Sequence, residues 1–269
     1  MPELPEVQTI VDDLKNKIRV ARIIDIKILT KSIWRYKYPR KRSMIGAKVS
    51  DVIRRGKYIL IYLSTNNVLV IHLGMTGKLI FVKVGSKPDK HTHVVFKFPD
   101  SDLHYNDVRR FGFMDLVSVD ALKGIAFLNK LGPDPFEIEM GEFISIIKSK
   151  NRMIKPLLMN QDIISGLGNI YSDEILFKAR IHPRSISSRI RKKKLAKLYD
   201  SAREILERAI EARGSSISDF VDGSGVRGEY QNSHLVYGRG GQSCKRCGAK
   251  IKREIIGSRS AHFCPRCQR

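Results

Sequence analysis

The sequence predicts an α+β chain in three parts: a strand-rich first half, a helical middle and a small terminal module. Three observations carry this prediction. Short β-branched and aromatic runs, separated by turn residues, fill the chain up to about residue 117. Apolar residues at helical spacing replace them from about residue 140. All 4 cysteines lie at or beyond Cys244.

The first element is a helix. Pro5 suits its first turn, Glu6 complements the dipole, and Val7, Ile10, Val11 and Leu14 recur at helical spacing. Strands are expected over Ile23–Leu29, Tyr58–Leu63, Val68–Leu73, Leu79–Val84, Val94–Phe98 and Phe113–Val117. Ser64-Thr65-Asn66-Asn67, Gly85-Ser86-Lys87-Pro88 and Pro99-Asp100 supply the turns. Successive short strands of this kind imply an antiparallel β-sandwich, with the opening helix flanking it. Gly132-Pro133-Asp134-Pro135 is a stiff joint, so the first domain is expected to span 1–132 and a helical domain 133–237. In the latter, Ala202, Ile205, Leu206, Ala209 and Ile210 form one stripe, which Arg213-Gly214 ends. The basic run from Arg189 to Lys194 suits either a solvated face or a specific contact. Gly223 to Gly228 has the composition of a mobile loop, and Gly238 to Gly241 that of a linker into the last segment, 238–269.

Charge narrows the function. Among 269 residues, 50 are Lys or Arg against 27 Asp or Glu, a formal charge of +23. Such a field suits a polyanion partner rather than a small metabolite. An anionic membrane surface is disfavoured, because no polybasic amphipathic end or lipidation signal is present. The longest apolar runs, such as Val68 to Ile71, are strand-sized and too short to span a bilayer. The N-terminus lacks the successive basic and apolar regions of a secretory signal, so an intracellular protein is expected. In a reducing compartment the cysteines are expected to hold metal rather than form disulfides.

Their spacing agrees. Cys244-x2-Cys247 and Cys264-x2-Cys267 have the two-knuckle pattern of a zinc ribbon. Four thiolates close a tetrahedral structural site around one Zn2+, leaving no open position for catalysis. Ile251 to Ile256 and Ser260 to Phe263 can form a hairpin between the knuckles, with Gly257-Ser258-Arg259 as its turn. Arg259 at that tip is a candidate phosphate fork. In the helical part, Ser165-Gly166-Leu167-Gly168-Asn169 interrupts a helical pattern with two glycines. Glycines before a helix let backbone amides approach a phosphate, and Asn169 can cap the helix or join that contact.

The N-terminus, Met1-Pro2-Glu3-Leu4-Pro5-Glu6, supplies candidate chemistry. Removal of Met1 would leave Pro2 with a free secondary amine. A free α-amino group titrates at roughly 7.7–8, so part of it is neutral and nucleophilic near neutrality. Attack on a sugar carbon gives an imine, and this chemistry needs a carboxylate to shuttle protons, for which Glu3 and Glu6 are candidates. A helix start accounts for the same residues taken alone.

Six segments taken in order carry a resemblance. They are Pro2-Glu3-Leu4-Pro5-Glu6, Arg55-Gly56-Lys57-Tyr58, His72-Leu73-Gly74-Met75-Thr76-Gly77, Asp107-Val108-Arg109-Arg110-Phe111-Gly112, Gly166-Leu167-Gly168-Asn169-Ile170-Tyr171 and the cysteine module. Together they resemble the bacterial formamidopyrimidine-DNA glycosylases over essentially the whole chain. Gln8 departs from the glutamate common in that family, which touches an accessory contact and not the nucleophile.

The resemblance implies a β-sandwich domain, a helix–two-turn–helix domain and a zinc hairpin acting on damaged double-stranded DNA. It implies catalytic roles for Pro2, Glu3, Lys57 and Arg259: imine formation by Pro2 at C1′, proton shuttling by Glu3, and contacts of Lys57 and Arg259 at the lesion and its phosphates. DNA-side positions would be Glu6, His72, Met75, Arg109, Phe111, Lys155, Asn169 and Glu174. Met75, Arg109 and Phe111 match the trio inserted where a base is extruded, although core packing explains Met75 and Phe111 equally from sequence alone. The loop from Ser215 to Tyr230 matches the segment that covers the extruded base. The expected setting is a monomer in a bacterial cytoplasm. Two rivals are an endonuclease VIII-like enzyme for oxidised pyrimidines and a non-catalytic zinc-ribbon DNA-binding protein. The latter leaves Pro2 and Glu3 without a role.

Overall fold

The chain enters its first helix, α1 (Leu4–Ile18), with Glu3 as N-cap in extended backbone and Pro5 in the first turn. In this computed structural model, which describes residues 1–35 and 41–269, α1 belongs to a unit made of Met1–Asn129 and Ala212–Glu229. Its stripe of Val7, Ile10, Val11, Leu14 and Ile18 is fully buried.

Eight strands follow among the described residues: β1 (Asp25–Ile28), β2 (Val49–Arg55), β3 (Tyr58–Leu63), β4 (Asn67–His72), β5 (Gly77–Val82), β6 (Thr92–Lys97), β7 (Asp102–Asp107) and β8 (Phe113–Ser118). They form two antiparallel sheets, ordered β1-β6-β7-β5 and β2-β3-β4-β8. Ile59, Ile61, Leu69 and Ile71 from one sheet meet Ile26, Phe96, Leu103 and Tyr105 from the other in one buried cluster with the α1 stripe. The expected β-sandwich is therefore present, and the six expected strands fall within two residues of their predicted bounds.

Strands β2 and β7 lie outside the sequence expectation. In β7 the apolar residues are Leu103 and Tyr105, at 1% and 0% exposure. Its position between β6 and β5 overrides a poor local propensity. Asp102 and Asp107 are buried there too; Asp102 accepts a backbone N–H from Gly85, while Asp107 organises a loop described below. In β2, Val49 and Val52 alone reach the core, and a register shift between Val49 and Asp51 breaks the alternation.

Two short helices, α2 (Val119–Leu122) and α3 (Ala126–Asn129), close the first segment. The second unit comprises Lys130–Glu211 and Tyr230–Arg269. It contains α4 (Met140–Lys148), α5 (Ile154–Leu158), α6 (Asn169–Ala179), α7 (Lys192–Glu211) and the hairpin of β9 (Lys252–Ile256) and β10 (Arg259–Phe263). Helix α7 begins inside the basic run and buries Leu195, Leu198, Ala202, Ile205, Leu206 and Ala209. Helix α6 packs against it and is buried on nearly every side, with Tyr171, Ile175 and Leu176 at 0% exposure. Arg180, in the left-handed region, ends α6. Residues 212–229 lie in the first unit, a placement that chain order does not give.

Among the described residues, no helix is long and apolar enough to cross a membrane.

Candidate active site and metal centre

The N-terminal end of α1 is built around Glu6. One of its carboxylate oxygens, Oε2, accepts the Glu3 backbone N–H at 2.8 Å. The other, Oε1, accepts the Ser215 N–H at 2.7 Å. Glu6, expected on the DNA side, is 1% exposed and fixes the segment that carries Pro2 and Glu3. Glu3 is itself 3% exposed.

Lys57 sits in the two-residue connection between β2 and β3, where Arg55 pairs with Tyr58. Gly56 precedes it at φ 56°, the left-handed conformation that such a tight turn needs. Lys57 is buried, and that burial lowers its pKa, while the charges of Glu3 and Glu6 pull the other way. Lys57 thus shares one protected corner with Glu3, and Pro2, the residue before Glu3, is buried as well. Gln8 contributes to it: its Oε1 accepts from Arg54 Nε at 2.8 Å, tying α1 to the strand that leads into the Lys57 turn. Its amide meanwhile donates to Asp12 Oδ1 at 2.8 Å.

Met75, Arg109 and Phe111 are brought together by the loops after β4 and β7. Gly74, at φ 59°, packs so closely on Phe111 and Gly112 that a Cβ would lie 2.4 Å from the Gly112 nitrogen. Asp107 holds the second loop, with Oδ1 accepting from the Thr76 hydroxyl and the Arg109 N–H, and Oδ2 from the Gly112 N–H. Met75 and Phe111 are 40% and 57% exposed, which decides against core packing for both. The Arg109 guanidinium lies 4.5 Å from the Phe111 ring centroid. His72, stacked on Phe113, accepts the Gly74 N–H at 3.2 Å through Nδ1. Burial, then Lys57 and Arg35, depress its pKa to about 4, so it is neutral at physiological pH.

In the second unit, Asn169 is the first residue of α6 and donates through Nδ2 to Ser260 Oγ at 3.3 Å. Its Oδ1 is buried without a hydrogen-bond partner. Gln161 shapes the preceding turn, accepting from the Gly166 N–H and donating to the carbonyls of Met159 and Leu167. Arg259 opens β10 opposite Ile256, and Gly257 and Ser258 alone form the turn, at φ 57° and 63°. Arg259 is exposed and lies one residue from the Ser260 that Asn169 contacts.

Lys155 and Glu174, expected at the DNA, are each 0% exposed and are occupied by the protein. Lys155 Nζ reaches Asp173 at 2.6 Å and the Ser260 carbonyl at 2.5 Å. Asp173 in turn accepts the His262 N–H at 2.8 Å. Glu174 accepts the N–H groups of Leu235, Val236 and Tyr237 at 2.8–2.9 Å. Lys155 ties α5 to α6 and β10, and Glu174 ties α6 to the backbone of residues 235–237. The organising roles of Asp107, Thr76, Asp173 and Ser260 are not readable from the sequence, because a buried carboxylate or hydroxyl that organises backbone amides has no spacing signature.

The four cysteine sulfurs all lie within 4.8 Å of one another. A tetrahedral zinc with bonds of about 2.3 Å places its sulfurs roughly 3.8 Å apart, so this cluster fits the ion. Backbone N–H groups of Arg246 and Cys267 point at the sulfurs of Cys244 and Cys264 at 3.4 Å, as thiolate ligands require. Cys244 and Cys264 share a buried cluster with Phe177, Val236 and Ile251. The site holds one structural zinc.

Comparison with known families follows the same three segments. Residues 1–114 match the formamidopyrimidine-DNA glycosylase N-terminal domain, 131–221 its H2TH domain, and 241–269 the zinc finger found in FPG and IleRS. The chain belongs to the formamidopyrimidine-DNA glycosylase family. Relatives of that name from Solibacter usitatus and Pelotomaculum thermopropionicum are 44% and 40% identical, covering 100% of this chain and 100% and 99% of their own length. A Lactococcus lactis Fpg mutant, in complex with Fapy-dG-containing DNA, superposes at TM-score 0.93 with 35% identity over 100% of both chains. MutM in complex with DNA containing carbocyclic 8-oxo-G superposes at 0.91 with 36% identity, again over 100% of both. The α+β fold of this family accounts for the sandwich, the helical unit and the cysteine hairpin described above.

Proposed function

We propose that this protein is a bifunctional DNA glycosylase and AP lyase that excises oxidised purines from duplex DNA and cuts the strand at the resulting site. The observation that carries the reading is the corner made by Pro2, Glu3 and Lys57, locked by Glu6 at the end of α1. Its relatives bear the glycosylase name, and solved structures like it hold Fapy-dG, abasic-site and 8-oxo-G DNA.

In the proposed reaction, Met1 is removed and the Pro2 nitrogen attacks C1′ as the bond to the damaged base breaks. The base leaves with the bonding electrons and takes up a proton. Glu3 protonates the ring oxygen as the sugar opens, giving an iminium between Pro2 and C1′. That cation acidifies the C2′ hydrogen, and its removal expels the phosphate on the 3′ side. A second elimination expels the phosphate on the 5′ side. Lys57, buried in that corner, faces the sugar-phosphate of the lesion.

Binding calls on the rest of the chain. Asn169 and Arg259 contact phosphates flanking the lesion, and the zinc holds the hairpin that presents Arg259. Met75, Arg109 and Phe111 fill the gap that an extruded nucleotide leaves, at an unstacking cost of a few kcal/mol. The protein acts as a monomer in the bacterial cytoplasm. Borohydride reduction of a reaction with 8-oxoguanine duplex should trap a covalent adduct to Pro2. The absence of an adduct, in a preparation that binds the duplex, would exclude the imine and leave only a binding protein.

A further inference from the structure

The segment from Ala212 to Glu229 is anchored in a way the function above does not use. Arg213 donates through Nε to Asp222 Oδ2 at 2.8 Å, and its Nη2 reaches both carboxylate oxygens of Asp13 at 2.8 and 2.7 Å. Asp13 lies on α1, and its Oδ2 also accepts the Gly223 N–H at 2.8 Å. Asp222 Oδ1 accepts the N–H groups of Ser224 and Val226, both at 2.9 Å, which shapes a tight turn. The Gly223 carbonyl accepts the Phe81 N–H at 2.8 Å, so the turn is also stitched to β5 at the edge of its sheet. The expectation of a mobile segment over Gly223–Gly228 therefore meets a turn tied at its stem.

The base of the segment is closed as tightly. Glu229 donates to the Ala212 carbonyl at 2.8 Å, and a Cβ on Gly228 would lie 2.3 Å from the carbonyl oxygens of Arg213 and Gly214. Arg213 itself sits at φ 57°, where a side chain is disfavoured and glycine is the easy choice. A guanidinium kept at that position, with two carboxylates around it, points to a purpose for the side chain. Ser215, Ser216 and Asp222 are buried, whereas Arg213 is exposed at the surface of the clamp, and Ile217 and Val226 at the two tips are 49% and 59% exposed.

We infer that the Asp13–Arg213–Asp222 clamp is a specificity-determining positioning device, holding the 215–228 tips in place for the extruded damaged base. The inference rests on the proposed glycosylase reading. The clamp binds the segment to α1, the helix that Glu3 caps, so the tips and the nucleophile share one frame. Order made in advance by ion pairs is not lost again on binding, so the device favours substrates that carry a base for the tips to touch. An abasic site presents no such base and gains nothing from the clamp.

Single-turnover assays of Asp13→Asn, Asp222→Asn, Arg213→Lys and the Asp13→Asn/Arg213→Lys double variant test this, using 8-oxoguanine and abasic-site duplexes. Arg213→Lys keeps the charge but cannot bridge two carboxylates. Each single variant should lose about tenfold in base excision while abasic-site cleavage stays within about twofold, and the double variant should lose little more. Hydrogen exchange of the Gly223 amide should quicken in all of them. Equal losses on both duplexes, or none on either, at unchanged melting temperature would overturn the inference. Should an asparagine variant fail to fold, Arg213→Lys carries the test. An unaltered protein that cleaves abasic sites but never excises 8-oxoguanine would instead overturn the glycosylase reading beneath it.

Discussion

Glu6 and Ser215 are 209 residues apart in sequence, yet the Glu6 carboxylate accepts the Ser215 N–H at 2.7 Å while its other oxygen holds the Glu3 N–H. One buried acid thus sets the distance between the proposed catalytic corner and the segment proposed to cover the base. Glu6→Gln keeps the size but replaces one acceptor oxygen by a donor, which faces an N–H group. The conflict should cost about 1–3 kcal/mol of stability. It also removes a negative charge that raises the Lys57 pKa, so Lys57 should titrate lower still. Expected is a loss of trapping rate of about tenfold or more with duplex affinity largely kept; an unchanged rate would show that Glu6 only braces the helix.

Arg109 carries donors only, so it can satisfy the O2 and N3 acceptors of a cytosine left without its partner but not the amino group of an adenine. Excision of 8-oxoguanine should be much faster opposite cytosine than opposite adenine. Arg109→Ala should slow excision and flatten that preference. Because the guanidinium rests on the Phe111 ring, Phe111→Ala should weaken the preference as well as slow extrusion. Single-turnover rates on the two duplexes, with a double-mutant cycle, measure this; additive effects would show the stack to be idle.

Replacing Cys264 with serine should remove one equivalent of zinc and, with it, stabilisation on the order of 10 kcal/mol from the terminal module. DNA binding should fall at the same time, because β10 presents Arg259. Metal content and affinity measured on one preparation decide the point. Full strand cleavage by zinc-free protein would separate the metal from the DNA grip.

Arg259→Gln should lower the salt dependence of binding by about one phosphate equivalent and weaken affinity uniformly across sequences. Asn169→Ala should weaken affinity with little change in that slope, since it removes no charge. The slope of log affinity against log salt is the readout.

His72 gives a pH dependence with a definite sign. Its folded pKa is about 4 against an ordinary 6.5, so between those values the unfolded chain holds more protons than the folded one. The neutral ring's contribution to stability is complete above about pH 6.5 and fades as pH falls toward 4. Melting temperature of the unaltered protein should therefore drop over that window, and His72→Gln should drop less. Identical curves would place the titration elsewhere.

The parts legible in the sequence were those with local signatures. The cysteine spacing, the opening helix and the strands rich in β-branched residues could all be read, as could the motifs around Pro2, Gly74 and Asn169. Strand β7 could not, since Leu103 and Tyr105 alone face the core and its place in the sheet decides its conformation. The buried partners of Lys155 and Glu174 could not be read either, because a lysine or glutamate in a functional motif looks the same whether it meets phosphate or a buried group. Asp13, Arg213 and Asp222 were invisible for a related reason: their relationship spans 200 residues and exists only once α1 and the 212–229 segment are side by side.

Phe177 has a consequence for how such a chain could be taken apart. It lies on α6 yet sits in the cysteine cluster, with the Arg246 guanidinium 4.3 Å from its ring centroid. Asn169 begins the same helix, roughly 12 Å away along its axis at 1.5 Å per residue. Helix α6 is therefore a lever with the cysteine cluster at one end and the proposed phosphate contact of Asn169 at the other. The hairpin cannot serve as an interchangeable cassette: a graft from another protein would have to bring its own answer to Phe177, or the lever would lose its fulcrum.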